Sequence, residues 1–90
     1  MPRPKKPRRC RRFRGHRVFK PIGTPMSALR TVTLDLAELE AMRLCDFEGM
    51  DQSTAGECMH VSRGTVQRLV KSGRAKVIRS LVRSAALVIE

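Results

Sequence analysis

The chain has 90 residues, 19 of them Lys or Arg and 8 Asp or Glu, for a formal net charge of +11. That length allows one small domain with at most a tail, and a core too small to scaffold a large catalytic cleft; three Phe with no Trp or Tyr argue against the stacking sheets that read single-stranded RNA. No stretch approaches the roughly 18 apolar residues of a bilayer span, no apolar segment follows the charged N-terminus as a secretory signal requires, and so basic a balance points to a polyanion.

The charge is partitioned along the chain. Residues 1–34 hold eleven basic residues and no acid, whereas residues 35–90 hold eight of each sign. That neutral part is itself polarised: Asp35 to Glu57 carries seven acids and one base, Arg43, and Cys58 to Glu90 carries seven bases and one acid, Glu90. From Met1 to about Lys20, like charges that include Arg8, Arg9, Arg11 and Arg12 alternate with Pro2, Pro4 and Pro7. Such a stretch has almost nothing to bury, so it predicts an arm that is disordered or extended until it meets an anion. Phe19 to Met26 contains two Pro and one Gly and reads as an extended linker, with Phe19, Ile22 and Met26 placed to pin it to the domain. The chain divides accordingly into a basic arm and linker (1–34), a helical domain (35–84) and an apolar C-terminal segment (85–90).

Thr31 to Leu34 alternates as a short strand would. Asp35-Leu-Ala-Glu38 then reads as a capping box, an acidic N-cap with Glu three residues on. Leu36, Leu39, Met42, Leu44 and Phe47 follow helical spacing, and Gly49 supplies the stop, which predicts a helix at about 36–48 with its acids largely facing solvent. Asp51 caps a short helix of about 52–59 in which Ala55 and Met59 define the buried stripe. Its Gly56, costly in a helix by about 1 kcal/mol relative to Ala, makes sense where another helix approaches closely. After the break at His60-Val61, Ser62 caps a longer helix from 63 to about 82, on which Val66, Leu69, Val70, Gly73, Val77, Leu81 and Val82 keep the 3.6-residue period, with a loosening expected at Gly73. Ala85 to Ile89 has β character and is placed either to pack as a strand or to form an intermolecular contact.

A short helix, a tight break, an apolar residue in the turn and a Ser-capped helix match the spacing of a helix-turn-helix, with Ala55 and Gly56 as the small residues and Val61 as the core plug. The positions of the last helix that lie off its apolar stripe are Arg63, Gly64, Gln67, Arg68, Lys71 and Arg74. Arg suits guanine O6/N7, Gln suits adenine N6/N7, and Gly64 removes bulk where a helix nears the groove floor. Ser62 and the helix N-terminus can also receive a phosphate. The bland alternative, an ordinary three-helix bundle with a solvated basic face, fits the periodicity equally well; the single sign of the face and its place after the turn favour groove binding. The expected architecture is all-α, a three-helix domain with a basic arm.

The segments Met1-Pro-Arg-Pro-Lys-Lys-Pro-Arg-Arg9, Phe19-Lys-Pro21, Leu39-Glu-Ala-Met-Arg-Leu44 with Asp46, Glu48-Gly49 and Gln52, and Met59-His-Val-Ser-Arg63 with Thr65 resemble a family of small uncharacterised bacterial and archaeal proteins regarded as DNA-binding. The helix-turn-helix of that family is similar to region 4 of sigma factors, which reads a promoter element. The resemblance covers essentially the whole chain. It implies that Ser62, Arg63, Thr65, Gln67 and Arg68 lie on the DNA-facing start of the recognition helix. Where the family usually has Gly in the turn, this chain has His60, which must then adopt left-handed geometry. It also has Val66 in place of Phe, and Gly56 and Gly73 in place of Ala.

The expected function is sequence-specific DNA binding by a transcriptional regulator, without catalysis or cofactor, in the cytoplasm at the nucleoid. The alternative is an adaptor docking on RNA polymerase or RNA, with the acidic helix 36–48 as its protein-contact face. Double-stranded DNA is the expected partner; no membrane partner is expected. Other helix-turn-helix proteins dimerise to read two half-sites, and by that analogy the apolar 85–89 end is the candidate homodimer surface. Cys10, Cys45 and Cys58 are an odd set without paired spacing, which suits a reducing compartment better than a disulfide scaffold and makes Cys45 and Cys58 ordinary buried thiols. Cys10 with His16, and Cys58 with His60, lack zinc-ribbon spacing and carry no metal prediction. No nucleophile motif or phosphate-binding Gly loop appears, so an enzyme is not expected.

Overall fold

The computed structural model describes residues 17–90; Arg8, Arg9, Arg11 and Arg12 of the arm, with Cys10 and His16, lie outside them. Two short strands, β1 (Arg17–Phe19) and β2 (Thr31–Leu34), flank a single 3₁₀ turn at Met26–Ala28. Three helices follow: α1 (Leu36–Met42), which continues as a π-helical turn over Arg43–Phe47, α2 (Gln52–Met59) and α3 (Arg63–Val82). The chain closes on β3 (Ala86–Ile89).

The architecture is mostly helical, but it is not all-α. β3 lies at the centre of a three-stranded sheet, antiparallel to β1 and parallel to β2. The register sets Val18 opposite Val88, and Val32 opposite Leu87. The sheet forms because Val32, Leu34 and Ile89 bury one of its faces and Ala86 is buried on the other, while four residues of β3 cannot stand as a strand without neighbours. The neighbours come from 17–19 and 31–34, far away in sequence, and no local pattern announces that pairing. Phe19, Ile22 and Met26, expected to pin the linker, are all exposed. The anchor is instead the β1–β3 ladder, helped by Lys20 Nζ donating to the Thr24 carbonyl at 2.6 Å.

α1 begins with the predicted capping box: the Asp35 backbone N–H donates to Glu38 Oε1 at 2.9 Å. Its acids do not all face water. Glu38 is 3% and Glu40 5% exposed, a correction to the expected solvent face. Glu38 turns inward because α3 offers partners: Lys76 Nζ sits 2.7 Å from Oε1 and the Ser72 hydroxyl donates to Oε2. Glu40 meets Arg43 Nε at 2.6 Å, and Arg43 also reaches Glu48 at 3.2 Å. The π turn adds a residue to the helical repeat, so the phase slips. Leu44 stays fully buried, while Phe47, predicted on the apolar stripe, is 82% exposed.

The helices enclose a cluster of Ala41, Leu44, Ala55, Val66 and Val70, with Leu69, Met50 and Met59 packed around it. Two glycines permit the close crossings. A Cβ on Gly56 would lie 2.7 Å from the Val61 carbonyl oxygen, and one on Gly73 would strike the Met42 thioether and approach Glu38 Cβ at 3.3 Å. Gly73 therefore does not loosen α3, which runs unbroken through it. At the C-terminal end the predicted stripe fails: Leu81 and Val82 are exposed and Ser80 is buried. Ser84, at φ 51°, closes that end, with the Ala85 N–H donating to the Ser80 carbonyl at 2.9 Å, a Schellman arrangement.

Cys45 is a free thiol, and burial, with the neighbouring Asp46 charge adding, raises its pKa. Cys58, expected as a thiol, is disulfide-bonded. An odd cysteine count excludes a fully paired framework but not a single bridge.

Candidate nucleic-acid interface

α2 and α3 meet through three residues, 60–62. The Asp51 carboxylate caps α2 by accepting from the Thr54 N–H at 2.7 Å. Hydrogen bonds from the Thr54 backbone and hydroxyl hold the Asp51 carboxyl below its ordinary pKa, and the Arg63 charge acts in the same direction. His60 ends α2 at φ 60° and ψ 41°, the left-handed geometry that its place in the turn requires. The Val61 N–H then donates to the Gly56 carbonyl at 2.9 Å, which folds the turn back onto α2. Val61 itself is 37% exposed. It does not plug the core as expected, and the buried cluster around Leu44, Ala55 and Val66 forms without it.

The start of α3 is built around Ser62. Its hydroxyl accepts from the Thr65 N–H at 3.1 Å and lies 3.0 Å from Thr65 Oγ1. Thr65 Oγ1 in turn accepts from Arg68 at 3.3 Å, so Ser62, Thr65 and Arg68 form one short polar chain across the first turn. Arg63, Gln67 and Lys71 are exposed and recur every four residues, which places them in a row on one face. None of the three makes a hydrogen bond or ion pair with the described residues. Beside that row Gly64 is open: a Cβ there would meet only the ends of Arg68 and Ser62 at ordinary contact distances.

Arg74 stands apart from the other predicted site residues. Both its Nε and Nη2 are held by the Asp46 carboxylate, with the Nε contact at 3.1 Å, and that pairing raises the guanidinium pKa. It is exposed but engaged. The structure thus brings Ser62, Arg63, Gly64, Thr65, Gln67, Arg68 and Lys71 together at one end of α3, with Arg74 at the margin. What the sequence pattern missed is that Asp46, carried round by the π turn, reaches this margin; an i→i+5 turn leaves no signature in apolar spacing.

Among the described residues, no group of three or more His, Cys, Asp or Glu is arranged to hold a metal ion. No helix among them is long and apolar enough to cross a membrane.

The class that these elements define is a small, mostly helical domain with a central three-stranded sheet and a basic helix end. The chain belongs to the family described as protein of unknown function DUF134, which it matches over residues 1–90. It is 48% identical over 87 residues to a UPF0251 protein of Pelotomaculum thermopropionicum, covering 97% of this chain and 66% of that one. A UPF0251 protein of Thermoanaerobacter pseudethanolicus is 47% identical over 90 residues, covering all of this chain and 76% of its own length. One from Vibrio parahaemolyticus is 47% identical over 88 residues, covering 98% of this chain and 92% of its own. No solved structure matches the chain.

Proposed function

We propose that this protein is a sequence-specific DNA-binding transcriptional regulator. In this reading α2 and α3 act as a helix-turn-helix similar to region 4 of sigma factors, and the N-terminal half of α3 enters the major groove. The observation that carries the reading is the exposed row Arg63, Gln67, Lys71, uncommitted to any described residue and set directly behind a three-residue turn. Two long cations with a neutral amide between them, held ready at a helix start, suit phosphates and base edges. Ser62, Thr65 and Arg68 are tied to one another, which pre-positions Arg68. The arm would follow phosphates or reach into a minor groove, and such binding carries association with the nucleoid. The adaptor reading loses support, because Glu38 and Glu40 are buried and the acidic face of α1 is correspondingly smaller.

The decisive experiment is a random-duplex selection with the full chain at physiological salt, followed by binding to the selected duplex and to a scrambled one. Replacing Arg63 or Gln67 with Ala is expected to cost about 1–3 kcal/mol on the selected duplex and far less on the scrambled one. Removing residues 1–20 should weaken both alike and flatten the dependence of affinity on salt. Absence of any enriched sequence, or equal losses on both duplexes from the α3 substitutions, would overturn the assignment.

A further inference from the structure

A second concentration of cations lies at the far end of α3. Between the edge of β2 that no described strand pairs and the C-terminal half of that helix runs a groove of about 270 Å³ whose polar lining is Arg30, Thr31, Thr33, Lys76, Arg79 and Arg83. No acid lines it. Lys76, Arg79 and Arg83 share one face of α3 and its C-cap at i, i+3 and i+7, and like charges at those spacings oppose helix formation slightly. The partial negative charge of the helix C-terminus favours one or two cations there, but it does not explain why Arg30 joins them from the segment before β2. Lys76 is occupied by Glu38. Arg30, Arg79 and Arg83 make no ion pair or side-chain hydrogen bond with the described residues.

The backbone adds donors. The carbonyls of Arg30 and Leu34 accept from the N–H groups of Ala86 at 2.8 Å and Glu90 at 3.1 Å. In a parallel ladder alternate residues face the partner strand, so Thr31 and Thr33 turn their N–H groups toward the open edge that borders the groove. The Thr31 and Thr33 carbonyls share that edge, so the anion-selective part of the site is the three guanidinium groups, uncommitted among the described residues, with the two N–H groups beside them in a concave space sized for a small anion.

We propose that this groove binds the diphosphate group of a small phosphorylated ligand such as a nucleoside diphosphate. A duplex lying on the Arg63 face does not supply that anion: at 100° and 1.5 Å per residue, Arg79 lies roughly 160° round the helix axis and about 24 Å along it from Arg63. The ligand bridges β2 and α3 and so stabilises the fold through the sheet edge.

The test uses the full chain at physiological salt, with inorganic pyrophosphate and a nucleoside diphosphate as probes, followed by titration calorimetry and by thermal unfolding. Saturable binding is expected, with a rise in Tm. Affinity should fall at least tenfold in the Arg79→Gln/Arg83→Gln variant and, without touching the helix, in Arg30→Gln. It should be unchanged in the charge-matched Arg8→Gln/Arg9→Gln variant and in Arg63→Gln/Lys71→Gln. No saturable binding by either probe overturns the proposal, as does an equal loss in the arm variant, which would place the anion on the arm. Complete displacement of pyrophosphate by duplex would also overturn it, assigning the groove to the nucleic-acid surface. Pyrophosphate binding without any duplex binding would leave this site standing while the proposed function failed.

Discussion

α3 is crossed by two helices, and the two crossings are held by different physics. Against α2 the contact is backbone on backbone: Gly56 admits the Val61 carbonyl, with Ala55 and Val66 fully buried beside it. Against α1 the shared apolar cluster is supplemented by a polar clasp, Glu38 to Lys76 and Ser72, with Asp46 of the π turn reaching Arg74 farther toward solvent. Close apolar contact is indifferent to pH and tolerates little change of volume. A carboxylate clasp tolerates small shifts but depends on its charge. The turn that places Arg63 and Gln67 therefore rests on the contact least sensitive to solution conditions.

The largest effect is expected at Glu38. Burial pushes its carboxyl up, but hydrogen bonds from Lys76, Ser72 and the Asp35 backbone outweigh that, and the pKa stands below its ordinary value. A lowered folded-state pKa contributes stability that is present above the unfolded value, about 4.3, and is lost as pH falls through the folded one. Glu38→Gln should cost roughly 2–3 kcal/mol in urea unfolding at neutral pH, less than a fully enclosed pair because Lys76 keeps some access to water. It should also shrink the loss of stability below about pH 4. In the unaltered protein, hydrogen exchange in that acid range should release the amides of α1 before those of α2. Simultaneous release would remove the distinction between the two crossings.

Next come the glycines. Ala is the better helix former by about 1 kcal/mol, so each Gly→Ala change tests whether space or propensity wins. Gly56→Ala meets backbone that cannot swing aside and should lose about 1–2 kcal/mol net. Gly73→Ala meets the flexible Met42 side chain and should be close to neutral. Comparable losses in chemical unfolding would mean that the α1 crossing is as rigid as the α2 crossing. The smallest change is a gain: His60→Gly relieves a left-handed residue, and after the extra chain entropy of Gly it should stabilise by up to about 1 kcal/mol. Its duplex affinity should stay unaltered, since His60 only ends α2.

Much of the helical part was legible because its signals are local. Asp35, Asp51 and Ser62 each mark a helix start within one turn, and the ends of α2 and α3 fall where capping and periodicity put them. The left-handed His60 was instead implied by the resemblance, since the family usually has Gly at that position of the turn. The misreadings have a common cause. The π turn shifted the phase that exposes Phe47 and let Asp46 capture Arg74; Glu38 went inward because Lys76 and Ser72, more than thirty residues on, were there to receive it.

The order of charges and caps along the chain was enough to mark three helices and a basic face on the last of them, because capping and amphipathic spacing act over one or two turns. Which cations on that face stay uncommitted, and that Ala86–Ile89 completes a sheet with segments from the other end of the chain, depended on contacts between residues far apart in sequence. Pairing strands and buried charges choose partners by position in space, and one-dimensional spacing does not encode that position.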